Sequence, residues 1–218
     1  MLIDFHSHFA SSNSIVCNAD ASEPAQSTAL LACAGLLPQL WTQKRQQQLF
    51  NLLDSKPDLQ MGEVGLDRRF EDILSLERQT AILKEELAFA VSRDRSISLH
   101  CVRATKPMLD ILSELNFRPY SILWHGFTGS PETAAELKRL KVILSIGPRF
   151  AGDINELLAA NPLIVPETDY EGSDESEHQI ILQNQYLRFP EDYPTKSQVI
   201  YNLFGNKPTE TVLYHVKI

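Results

Sequence analysis

From residue 39 onward short apolar runs alternate with amphipathic stretches. Residues 42–54 read as a helix, with Leu49, Leu52 and Leu53 on one side and a Gln/Lys/Arg face opposite. Residues 76–94 give the strongest helical signal, because Leu76, Leu83, Leu87 and Ala90 recur at helical spacing. Further helices are predicted over 105–115, with Pro107 in the first turn, and over 131–140, capped by Ser130. Residues 153–160, 178–187 and 196–204 complete the helical set. Between them lie short apolar strands at 61–65, 96–100, 121–125, 142–146 and 163–165. Repeated strand–helix units with apolar strands point to a parallel sheet. A helix on nearly every connection favours a (β/α) TIM-type barrel over an open, doubly wound sheet. Such barrels run to about 250 residues, with about 200 as a lower limit, so a chain of 218 residues is a trimmed one.

The first forty residues break this rhythm. Residues 2–5, 14–18 and 29–34 are strand-like, but too few residues separate the first two for the dozen or more of a usual parallel crossover. Either a helix has been lost and the barrel is reduced or distorted in its N-terminal units, or Ile15-Val16-Cys17 lies outside it. The glycines do not supply a phosphate loop: Gly65, Gly126 and Gly129 lack G-x-G-x-x-G spacing.

Composition narrows the class. Hydrophobic residues at 43% and charged residues at 22% are those of one globular domain spanning 1–218. The net charge of −8 argues against a broad basic surface, so any polyanion contact would be local. Three unpatterned cysteines (Cys17, Cys33, Cys101) make neither a disulfide scaffold nor a CxxC metal site. With no basic leader, and the longest apolar run at 29–37, a soluble cytoplasmic monomer is expected, with no membrane partner.

The chemistry sits at strand ends. His6 and His8, at i and i+2 just past the first strand, point the same way and can grip one metal. His100 ends one strand and His125 the next; Glu63 lies in Gly62-Glu63-Val64-Gly65, and Asp169 follows Leu163-Ile164-Val165. Four of six histidines thus fall at C-terminal strand ends, the face where barrel active sites gather. Each residue has a bland reading as a core histidine or loop carboxylate. All six adopting it together is the weaker account.

These residues carry a family resemblance. His6-Ser7-His8, Gly62-Glu63-Val64-Gly65-Leu66-Asp67, Leu99-His100-Cys101, His125-Gly126-Phe127-Thr128-Gly129-Ser130 and Pro166-Glu167-Thr168-Asp169 stand in the order of TatD-type metal-dependent hydrolases. Tyr201-Asn202-Leu203-Phe204 resembles the family's final helix. The resemblance implies an amidohydrolase-like barrel with two divalent ions (Zn, Mg or Mn). His6 and His8 would hold one ion, Glu63 would bridge to a second, and His100 and His125 would complete that second site. Asp169 would bind the first and orient or deprotonate the attacking water, leaving Asp169 and Glu63 as the catalytic pair. It implies phosphodiester hydrolysis with DNA as substrate. The rivals are another small phosphoester, amide or lactone on the same metals, or a silent metal-binding barrel.

The substrate rim departs from the family. Phe9-Ala10-Ser11-Ser12 replaces the first helix, Arg68-Arg69 replaces an aromatic, and Arg103 stands one place out of register. After Asp169 comes an acidic stretch with no base as far as Glu177, read as a solvated loop. Arg68, Arg69 and Arg103 follow ligand-bearing strands and are expected to hold substrate phosphate, their guanidinium forks matching its oxygens. The alternative for Arg68 and Arg69 is surface pairing with Glu71 and Asp72. Arg149 is a weaker candidate. Trp124 and Cys101 are expected in the packed interior, and His178 and His215 on the surface.

Overall fold

A computed structural model describes residues 1–23 and 28–205. Eight strands lie side by side in chain order, every adjacent pair parallel: β1 (Asp4–Ser7), β2 (Ser14–Asn18), β3 (Leu31–Leu36), β4 (Gln60–Asp67), β5 (Ile97–Val102), β6 (Ile122–Trp124), β7 (Ile143–Ile146) and β8 (Ile164–Pro166). From β3 onward a helix fills each connection: α1 (Gln43–Ser55), α2 (Leu76–Ser92), α3 (Thr105–Glu114), α4 (Pro131–Arg139) and α5 (Ile154–Ala160). Two more follow β8, α6 (Glu175–Tyr186) and α7 (Tyr193–Phe204). Thr42, Ser75, Ser130, Asp153 and Asp174 cap helices with side-chain oxygens, each cap contributing about 1 kcal/mol. None of the helices searched is long and apolar enough to cross a membrane.

The irregular start is resolved in favour of a shortened barrel: β2 is a barrel strand, and β1 and β2 are parallel with only residues 8–13 between them. Geometry permits this because β1 is so short. Four residues span about 10 Å, and a six-residue return reaches about 20 Å when extended. Asp4 N–H donates to Asn13 C=O (2.8 Å), and Asn13 Nδ2 donates to Leu2 C=O (2.9 Å), pinning the return to the strand it leaves.

Alternation sorts the strands' apolar side chains into two cores. Ile122, Trp124, Leu144 and Ile164 face the helix layer. Leu123, Ile143, Leu163 and Val165 face inward with Phe5, Ile15, Cys17 and Cys33. Ile200, Tyr201 and Phe204 of α7 close that inner cluster from the N-terminal end of the strands. Trp124 packs in the helix layer as expected, and Cys101 is half-buried against it.

The β1–β8 seam is joined largely by side chains. The Asp4 carboxylate, fully buried, accepts from Thr168 N–H (2.9 Å), Thr168 Oγ1–H (2.6 Å) and His178 Nε2 (2.7 Å). Asp169 N–H donates to His6 C=O (3.0 Å), and His8 N–H to Tyr170 C=O (3.0 Å). His178 was expected on the surface. It is instead wholly buried, because α6 folds over the seam and brings it to Asp4. The acidic stretch is also more ordered than a solvated loop: Asp174 caps α6, Glu175 and Glu177 lie in its first turn, and Tyr170 Oη donates to Glu177 (2.7 Å). His215 lies outside the described residues.

Candidate metal centre

Two bulges aim the side chains of this site. Four residues of β1 (Asp4 to Ser7) run against three of β2 (Ser14 to Val16). The extra residue lets His6 follow Phe5 into the barrel instead of alternating away. β4 repeats the device between Met61 and Val64 against β5. Here Gly62 has φ +147°, and a Cβ on it would stand 2.6 Å from Ser98 Cβ. Glycine is therefore required for Glu63 to swing inward.

Six side chains from five strands or their ends then converge. Glu63 Oε1 lies 2.7 Å from His100 Nδ1 and 2.6 Å from His125 Nε2. Glu63 Oε2 lies 3.7 Å from both His6 Nε2 and His8 Nε2. Asp169 Oδ1 faces the same two imidazoles, at 3.7 and 3.6 Å. The 3.6–3.7 Å separations about His6 and His8 suit a cation, since tetrahedral bonds of about 2.0–2.2 Å put donor atoms about 3.3–3.6 Å apart, whereas Glu63 Oε1 meets His100 and His125 at hydrogen-bond distance. His6 Nε2 is buried without a hydrogen-bond partner, a costly state unless a ligand uses its lone pair. Outer contacts fix the ring orientations: His8 Nδ1 to Cys17 C=O (3.0 Å), His6 Nδ1 to Ser98 Oγ (3.3 Å) and His100 Nε2 to Asp67 Oδ2 (3.0 Å). The sets His6–Glu63–His125 and His6–His8–Asp169 are each compact enough to share one ion.

The electrostatics agree. Burial works to raise Glu63, but the His125 and His100 imidazoles hold it well below the usual carboxylate range. Asp169 is pulled down by His8, His6, His125 and Arg149 against its burial. Burial opposes protonation of His8 and His100, yet Asp169 and Glu63 raise the first to about 9, and Asp67 and Glu63 the second to about 9. These imidazoles hold protons that a cation would displace.

The rim arginines separate by partner. Arg69 pairs with Asp67, its Nε 3.0 Å from Oδ1 and its Nη2 2.6 Å from Oδ2. Arg68 Nε donates to Arg103 C=O (3.0 Å), with Glu71 3.6 Å from Nη1. Arg103 is exposed on a left-handed backbone (φ 54°). Arg149 pairs with Asp169 Oδ2 across the mouth of the site. Two further carboxylates, Asp67 and Glu167, are buried beside the site. Asp67 lies two and four residues beyond Gly65 and Glu63 in the same strand, so alternation could have placed it beside His100. Glu167, two residues before Asp169, accepts from Ser145 Oγ–H, and burial pushes it up to about 7.

Residues 3–202 match the family model described as TatD related DNase. The chain belongs to the TatD-related DNase family. That family comprises metal-dependent hydrolases of phosphodiester bonds. Among proteins similar to this TatD-family chain is the human 3'-5' RNA nuclease TATDN2, 26% identical over 137 residues. The match covers 59% of this chain and 18% of the relative, so the chain matches about a fifth of that protein's length. Among solved structures, YJJV, a TATD homolog from Escherichia coli, aligns over 90% of this chain and 87% of its own, with a TM-score of 0.71 and 23% identity. An uncharacterized amidohydrolase from Saccharomyces cerevisiae aligns over 82% of this chain and 71% of its own (TM-score 0.59, 18% identity). Both share the barrel fold.

Proposed function

We propose that this single-domain TatD-type barrel acts as a monomer, hydrolyses phosphodiester bonds of DNA, and uses two divalent cations held on either side of Glu63. One observation carries the reading. The two oxygens of one buried carboxylate face two different imidazole pairs, His6/His8 and His100/His125. His6, His8, Asp169 and Glu63 Oε2 would hold one ion; His100, His125 and Glu63 Oε1 the other. Bound cations (Zn, Mg or Mn) would supply Lewis acidity, neutralising phosphodiester charge and making hydroxide available near neutral pH.

The residues then divide the work. Asp169, kept ionised by its neighbours, orients the attacking water or takes its proton. As the new bond to phosphorus forms, the bond to the leaving sugar oxygen breaks and that oxygen is reprotonated from solvent. Asp67 orients the His100 ring, and Arg69 holds Asp67. Arg68 and Arg103, linked through the Arg103 carbonyl, would receive non-bridging phosphate oxygens, while Arg69 acts on Asp67.

Elemental analysis of purified protein, paired with hydrolysis of single-stranded DNA in Mg, Mn and Zn, tests this reading. About two ions per chain and metal-restored cleavage are expected. Turnover confined to amide or lactone substrates would reject the phosphodiesterase assignment. No turnover with any divalent ion would favour a silent metal-binding barrel.

A further inference from the structure

The turn that follows β7, residues 147–150, presents a cation to the converging side chains. Its backbone is fixed. Phe150 N–H donates to Gly147 C=O (3.1 Å), and Arg188, just past α6, donates from Nη1 to the same carbonyl (3.0 Å) and from Nη2 to Phe150 C=O. The Phe150 ring is buried, and Pro148 locks its own φ. The side chain of Arg149 is held far less. It is 74% exposed, and among the described residues its guanidinium pairs with one group, Asp169 Oδ2. Asp169 Oδ1 meanwhile faces His6 Nε2 and His8 Nε2 at 3.7 and 3.6 Å. One carboxylate is thus divided between a guanidinium and the imidazoles of the first cation site.

The other rim arginines are placed differently. Arg69 pairs with Asp67, and Arg68 reaches Arg103 C=O, with Glu71 beside it. None of these partners belongs to the six converging groups, whereas the partner of Arg149 does. Once Asp169 gives its charge to a divalent ion, its attraction for Arg149 weakens and the guanidinium is left facing a like charge. Arg149 cannot respond by losing its proton. Its exposed side chain is free to turn, and its clamped backbone keeps the turn local. A phosphodiester drawn to the same centre brings anionic oxygens within the reach of this side chain, and a guanidinium fork matches them.

Resting on the two-cation phosphodiesterase reading above, we propose that Arg149 exchanges partners: it caps Asp169 in the metal-free protein, yields that carboxylate to the cation, and then binds a non-bridging oxygen of the substrate phosphate. Metal and phosphate are consequently coupled through Arg149, each raising the affinity for the other, and reciprocally so.

Calorimetry on Arg149→Met, which keeps the aliphatic stem and loses the charge, tests this without turnover. The affinity of metal-free protein for Mn should rise by about fivefold, the worth of a partly exposed ion pair. The affinity of Mn-loaded protein for inorganic phosphate should fall by about tenfold or more, the worth of a charged hydrogen bond. A damaged fold would lower both, so the opposite signs are diagnostic. Unchanged or weaker Mn binding would show that Arg149 does not compete for Asp169, and unchanged phosphate binding that it holds no phosphate; either result overturns the exchange. Arg149→Lys keeps the charge without the fork, and its phosphate affinity should fall between wild type and Arg149→Met. A Lys variant no better than Met counts against the proposal. Bis(4-nitrophenyl) phosphate separates the two levels. If wild type cleaves it while neither affinity moves in Arg149→Met, the role of Arg149 alone fails. If wild type cleaves no phosphodiester, the underlying reading fails, and the two affinities still decide whether Arg149 trades Asp169 for an anion.

Discussion

The chain up to β3 and the chain from α1 onward build one barrel by different means. In the later part each strand is backed by an amphipathic helix; Glu63 sits at the β4 bulge, His100 lies in β5 and His125 just past β6. In the earlier part β1 returns directly to β2. No helix occurs among the described residues of its two connections, yet it supplies His6 and His8. What replaces helix packing there is polar: a β1 bulge, the Asp4–Thr168–His178 seam and the backbone contacts of His6 and His8 with Asp169 and Tyr170. One half of the candidate centre thus depends on local repeat structure, and the other on contacts between chain ends.

Glu63 belongs to both halves, so its removal has the largest expected effect. Glu63→Gln should lower kcat by about a thousandfold, since several kcal/mol of charge stabilisation are lost, and bound metal should fall below two ions per chain. Retention of two ions would break the bridging role. His100→Ala, confined to the regular half, should remove one ion and leave the His6/His8 set occupied; unchanged stoichiometry would take His100 out of the ligand set.

The seam comes next. Asp4→Ala leaves Thr168 and His178 without their buried acceptor. It should cost about 3 kcal/mol, lowering Tm by about 6–12 °C for a domain of this size, and should weaken metal binding at the His6/His8 pair more than at His100/His125. An equal loss at both pairs would mean that the halves are not independently supported. Within the regular half, Asp67→Asn removes the orienting partner of His100 and should weaken metal affinity by about 10–100-fold.

A dependence on pH spans both halves. His8 and His100, one from each half, are both raised to about 9 in the folded protein, against 6.5 for a free imidazole. In metal-free protein the stability linked to these protons is fully present below about pH 6.5 and is lost as pH rises through about 9. Metal must displace the same protons, so affinity should climb between those limits, by up to about tenfold per pH unit for each proton released. Calorimetry in buffers of different ionisation enthalpy counts the protons. A pH-independent affinity would show that neither imidazole is displaced.

Much of this was legible in the residue pattern. Strand–helix alternation beyond residue 39 identified five strands and seven helices whose bounds agree with the structure to within a few residues, because their apolar spacing is a local property. The α6 start at Glu175 was missed because its signal, Asp174 as a cap, lay in a run of acids that resembled solvated loop. The same periodicity put His6, His8, Glu63, His100, His125 and Asp169 at one end of the strands. It could not say which side chains would meet. The burial of His178, the capture of Arg69 by Asp67 and the pairing of Arg149 with Asp169 each depend on which segment closes against which. Strand period sets the face a side chain takes; only ring closure, with α6 over the seam and α7 beneath the inner core, decided what stands opposite it.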